Sequence, residues 1–116
     1  MNDIWCWKLG SQKTGYKVLT LFFSRWLEAD VYIIKYPQGS FIPPHIDYVG
    51  SEREHYRLNI EVWPAKEGGE LVCSESIFRW GPINLFRPDK VEHSVTEVKQ
   101  GIRYVFSIGW LRKPKA

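Results

Sequence analysis

Tyr36-Pro37-Gln38-Gly39-Ser40-Phe41-Ile42-Pro43-Pro44-His45-Ile46-Asp47 is the stretch on which the reading of this chain turns. A Pro-Gln-Gly break separates two runs rich in β-branched and aromatic residues, Val31 to Tyr36 and Phe41 to Asp47, and both read as strands. Outward toward the C-terminus the same pattern recurs in Tyr56 to Trp63, Gly69 to Cys73, Ile77 to Trp80, Ile83 to Pro88, Val91 to Val98 and Arg103 to Trp110. The breaks between these runs are built from Gly, Pro, Asp and Ser and are too short to hold crossover helices, so the strands must pair mainly as antiparallel neighbours. Eight strands in roughly 80 residues point to a mainly β fold of two packed sheets, the jelly roll. Outward toward the N-terminus, Leu19, Phe22, Phe23 and Trp26 follow the i, i+3, i+4, i+7 spacing. That spacing predicts one amphipathic helix over Lys17 to Leu27, its aromatic stripe covering the sheet.

The chain of 116 residues, 44% hydrophobic and 16% aromatic, has material for one core, so residues 1–116 are expected to form a single domain. No run approaches the roughly 18 apolar residues that span a bilayer, which excludes a helical membrane protein. The start, Met1-Asn2-Asp3-Ile4-Trp5, lacks the basic and apolar regions of a secretory signal, so a cytoplasmic location is expected. Cys6 and Cys73 lie 67 positions apart without CxxC spacing and read as reduced thiols with no assigned chemistry. A net charge of +3, with basic residues gathered only in Arg112-Lys113-Pro114-Lys115, speaks against nucleic acid as the partner.

Chemistry enters with His45-Ile46-Asp47. On a strand, positions i and i+2 share a face, so an imidazole and a carboxylate project side by side. With three His and 13 acidic residues, such a tripeptide arises by chance in roughly one chain out of three, and alone it reads sooner as a surface ion pair than as a ligand pair. A second histidine on another strand, His93, would complete a facial set of two imidazoles and a carboxylate, leaving three positions open on an octahedral ion. That donor set suits non-haem Fe(II) taking a bidentate co-substrate and O2, better than Zn2+ with its closed tetrahedron or Mg2+ with its oxygen donors. Ten residues beyond His93, Arg103 opens the last strand after Gln100-Gly101. A tight turn joining two neighbouring strands would bring its guanidinium beside the metal ligands, where a planar, permanently charged fork fits a ligand carboxylate.

These blocks resemble the 2-oxoglutarate and Fe(II)-dependent oxygenases, a double-stranded β-helix family of eight core strands. The likeness runs from Asp30 to Arg112 and rests on four segments in family order: Tyr36 to Asp47, Gly68-Gly69-Glu70-Leu71, Phe86-Arg87-Pro88-Asp89 through His93-Ser94-Val95, and Gly101-Ile102-Arg103-Tyr104. Gly68 to Leu71 is similar to the Gly-Gly-Glu-Leu turn and strand of prolyl-hydroxylase-type members. The resemblance implies Fe(II) held by His45, Asp47 and His93, and Arg103 gripping the distal carboxylate of 2-oxoglutarate. It places Tyr36 near the co-substrate, or else in the core. By likeness to the aspartyl/asparaginyl hydroxylases, Arg57 and Asn59 are either contacts to co-substrate or substrate, or a salt bridge and a structural amide. Where many relatives carry Ser two residues beyond the arginine, this chain has Val105, with Ser107 two further on. His55 reads as a surface or loop residue. The activity implied is hydroxylation of a C–H bond with release of succinate and CO2, the substrate being a peptide prolyl or Asp/Asn side chain, or a small molecule. The competing reading is a cupin-like metal- or sugar-binding module that does not turn over 2-oxoglutarate and needs no Arg103.

Overall fold

The structure, a computed structural model, describes residues 7–10, 14–49 and 52–113. Its strands are β1 (Trp7–Leu9), β2 (Lys17–Ser24), β3 (Ala29–Tyr36), β4 (Ile42–His45), β5 (Glu54–Trp63), β6 (Glu67–Gly68), β7 (Leu71–Cys73), β8 (Phe78–Trp80), β9 (Ile83–Phe86), β10 (His93–Val95), β11 (Val98–Gln100) and β12 (Arg103–Arg112). They form a major sheet in the order β1-β2-β3-β12-β5-β9-β8, a minor sheet β4-β10-β7 and a two-stranded pair β11-β6, every pairing antiparallel. No helix is long and apolar enough to cross a membrane. Cys6 and the end of the basic tail lie outside the described residues.

The expected covering helix is instead strand β2, paired along its length with β3 from Lys17↔Lys35 to Ser24↔Ala29. The reason lies in a register shift between Thr20 and Phe22. One extra residue there resets the two-residue alternation, so Leu19, opposite Ile33, and Phe22, opposite Val31, share a face although three apart. A bulged strand thus imitates helical spacing, and β-branched and aromatic content decides for the sheet. Trp26, assigned to the stripe, sits in the turn to β3 and is 92% exposed.

In β12, Arg103, Val105, Ser107 and Gly109 are buried, while Tyr104, Phe106, Ile108 and Trp110 are half-exposed, as strand alternation requires. The inner row meets a core of Tyr16, Ile34, Tyr36, Val95, Val98 and Val105. The outer row shares its face with Ile33, Val31, Leu58 and Ile60 across the ladders, and no described helix covers it.

A second correction concerns Val91 to Val98, which divides into β10 and β11. β10 joins the minor sheet and β12 the major one, so they are not neighbours, and the tight hairpin expected between His93 and Arg103 does not form. β11 and the turn at Gly101, whose φ is 89°, carry the chain from one sheet to the other. Arg103 therefore reaches the interior from the sheet facing His93.

Candidate active site

Cross-strand pairing brings the histidines together, because His93 of β10 stands directly opposite His45 of β4 and their ring centroids are 4.3 Å apart. His45 is the last residue of β4, and Asp47 lies just beyond the strand, where its backbone N–H donates to the carbonyl of Pro88 at 2.7 Å. Sharing a strand face is thus not what aligns Asp47 with His45; the anchor on Pro88 does. The Asp47 carboxylate spans both rings, Oδ1 lying 3.3 Å from His45 Nε2 and Oδ2 3.4 Å from His93 Nε2. One donor atom from each of the three residues falls within 4.8 Å of the others. Adjacent ligands on an octahedral ion with bonds of about 2.1 Å stand about 3.0 Å apart, so an ion needs only a small closure of this set.

Both rings are held in the same sense. His45 Nδ1 lies 2.8 Å from the Pro43 carbonyl and His93 Nδ1 3.0 Å from that of Val91. A carbonyl can only accept, so each Nδ1 carries the proton and donates it, and in the neutral rings Nε2 presents a lone pair toward Asp47. The edge of Phe86 packs on His93 with centroids 5.1 Å apart. Burial pushes the Asp47 carboxyl upward, but when the rings are protonated the hydrogen bond donated by His93 and the charges of His45, His93 and His55 outweigh it and hold the carboxyl below the ordinary carboxylate range, whereas metal binding calls for the neutral rings. Two neutral nitrogens and an anionic oxygen form a donor set that fits Fe(II).

The site opens on a cavity of about 140 Å3, lined among others by Tyr36, Asn59, Leu71 and Phe86. Tyr36 is 2% exposed and lies under the Arg103 guanidinium, 4.9 Å from it, as expected for partners directly opposite across β3 and β12. Burial raises the Tyr36 phenol, opposed by the Arg103 charge, so it stays a neutral hydroxyl. Arg103 itself is 5% exposed and lines a second recess that shares Asn59 and Leu71 with the metal cavity. Its Nη1 is buried without a hydrogen-bond partner. A buried cation with an unused donor is what a ligand carboxylate would complete, so these residues fit 2-oxoglutarate as well as the metal.

Arg57 has no such spare capacity: Nη2 donates to Asp30 Oδ1 at 2.8 Å and Nη1 to Ser107 Oγ at 2.7 Å, while the Ser107 hydroxyl donates to Asn59 Oδ1 at 2.6 Å. These bonds form a salt bridge and tie down the amide, and both Arg57 and Asn59 also line the metal cavity. Phe86 lines the metal cavity, while Trp63 and Trp80 are exposed. His55, expected at the surface, is a half-buried residue of β5 lining the metal cavity, with Nδ1 buried and unpartnered. Glu61 and Asn84, which carry no sequence signal, line the Arg103 recess: Glu61 accepts from Arg103 Nε at 2.6 Å, and both ends of the Asn84 amide are buried and unpartnered there. Only the strand register could have placed them.

Two antiparallel sheets thus carry a His/Asp/His cluster that could hold a metal ion, with a buried arginine in an adjoining recess. Residues 31–112 match the family model described as the 2OG-Fe(II) oxygenase superfamily, and the chain belongs to that family. The family implies Fe(II) and 2-oxoglutarate. No curated protein matches the chain in sequence. Among solved structures, a prolyl-4-hydroxylase from Pseudomonas putida is similar with a TM-score of 0.67 and 14% identity, over 94% of this chain and 78% of that one. The viral collagen prolyl hydroxylase from Paramecium Bursaria Chlorella virus-1 gives 0.53 and 18%, over 86% and 62%. The Cnp3 cupin domain of Schizosaccharomyces pombe gives 0.59 and 12%, over 84% and 65%.

Proposed function

We propose that this chain is a non-haem Fe(II) and 2-oxoglutarate-dependent dioxygenase that hydroxylates a C–H bond of a peptide prolyl or Asp/Asn side chain. The carrying observation is the convergence of His45 Nε2, His93 Nε2 and the Asp47 carboxylate, with both Nδ1 atoms held by backbone carbonyls. When bound, Fe(II), 2-oxoglutarate and O2 supply the oxidation that converts C–H to C–OH and yields succinate and CO2. The chain's share is positioning. His45, Asp47 and His93 would hold the ion. Arg103 receives the distal carboxylate through Nη1, and the buried Tyr36 ring fixes the guanidinium from below. The apolar walls of Phe86, Leu71 and Ile42 keep water from the oxidant. A peptide substrate is favoured by the prolyl hydroxylases among the similar structures.

The test is succinate release by Fe(II)-loaded protein offered peptide, nucleotide and small-molecule pools. Succinate is expected with prolyl- or Asp/Asn-containing peptides and not after His93→Ala; equal turnover by that variant would overturn the ligand assignment. The alternative reading, a cupin-like metal-binding module without 2-oxoglutarate turnover, draws on the Cnp3 cupin likeness and on Arg103 already holding a carboxylate. Metal binding with no succinate from any pool would favour it.

A further inference from the structure

The Arg103 guanidinium, which the proposed function assigns to a carboxylate of the co-substrate, already holds one that belongs to the protein. Arg103 Nε donates to Glu61 Oε2 at 2.6 Å, a charge-assisted bond of the strongest kind. The two partners are unequal. The Arg103 side chain is 6% exposed and that of Glu61 30%, so Glu61 can turn into water while Arg103 stays fixed over Tyr36. Glu61 also stands at a register shift of β5 against β12: Val105 pairs with Glu61 but Tyr104 with Trp63, leaving Val62 as an extra residue. Such bulges re-aim the neighbouring side chain. In the same recess of about 130 Å3, Arg103 Nη1 and both polar atoms of the Asn84 amide are buried without partners. A recess with room for several atoms, a half-used cation and an idle amide is prepared for an incoming polar group on the side that Glu61 leaves free.

We propose that Glu61 is the resident counter-ion of this anchor: it competes with the ligand carboxylate for Arg103, and 2-oxoglutarate binds against it. With Glu61 in place, two carboxylates share one guanidinium, and their repulsion lowers affinity for a dianion. With Glu61 displaced, the ligand carboxylate takes over its bond. In either arrangement Glu61 keeps the buried arginine neutralised when no ligand is present.

This inference rests on Arg103 as the co-substrate anchor, and calorimetric titration of 2-oxoglutarate into the Zn(II)-loaded full chain separates the two. Glu61→Gln keeps the shape and removes the charge, and it is expected to bind 2-oxoglutarate about tenfold more tightly than the unaltered protein. Unchanged or weaker binding by a folded Glu61→Gln overturns the role of Glu61 while leaving the anchor standing. If Arg103→Met binds as well as the unaltered protein, or if the unaltered protein binds none, the anchor itself fails. Should Glu61→Gln not fold, the carboxylate 13C resonance of Glu61 in the unaltered, Zn(II)-loaded protein decides: it is expected to move on saturation with 2-oxoglutarate, and a stationary resonance overturns the proposal.

Discussion

Two backbone carbonyls, those of Pro43 and Val91, determine what His45 and His93 can do, because accepting from Nδ1 leaves Nε2 as the free nitrogen of each neutral ring. Replacing either histidine by Ala is expected to abolish stabilisation by Mn(II) in thermal melts while leaving the metal-free melting point within a few degrees, since the core is untouched. Phe86 is a different case. Buried to 2% and set against His93, it fills the barrel, and Phe86→Ala is expected to cost about 3–5 kcal/mol in urea unfolding. The cluster was legible in the sequence, His45 and Asp47 by spacing, although the anchor on Pro88 and not a shared strand face aligns them, and His93 as the candidate third. Glu61, Asn84 and His55 were not, because a polar residue on a strand comes to line a cavity only through its register partners, which for Glu61 include a bulge no composition reveals.

At the scale of elements, seven of the eight predicted runs each coincide with one strand to within a few residues, and the remaining one, Val91 to Val98, holds β10 and the first residue of β11. Both failures have one physical source. Period reading assumes unbroken elements, and the chain breaks its period at Leu21 and again after Val95. The inward face of β12 offers a sharp test of packing. A Cβ at Gly109 would fall 2.0 Å from Arg57 Nη2, and the Arg57 head is tied to Asp30 and Ser107. Gly109→Ala is therefore expected to destabilise the protein by about 2–3 kcal/mol, within the range for overpacking, although alanine is the better strand residue. Combining it with Arg57→Ala, which removes the clashing group, should give less than the sum of the two single effects.

For the molecule as a whole, pH acts through buried titratable groups. Burial, with the Arg57 charge adding to it, holds the His55 imidazole below its ordinary value of 6.5, with Asp30, Asp47 and Asp89 opposing. The unfolded chain then binds the proton first, so His55 contributes full stability above pH 6.5 and loses it as pH falls toward the folded value. The urea midpoint is expected to drop between pH 7.5 and 5.5, and His55→Asn to flatten that drop; an identical slope would show that His55 does not carry it. Bound metal works in the other direction, adding about 2.7 kcal/mol at a hundred times its dissociation constant. Whether that ion serves an oxygenase is read most directly by anaerobic titration of Fe(II)-loaded protein with 2-oxoglutarate, following the visible charge-transfer band of the chelate. The band is expected in the unaltered protein and absent in His45→Ala and His93→Ala. No band in the unaltered protein, or an undiminished one in either variant, would contradict the assignment of this site.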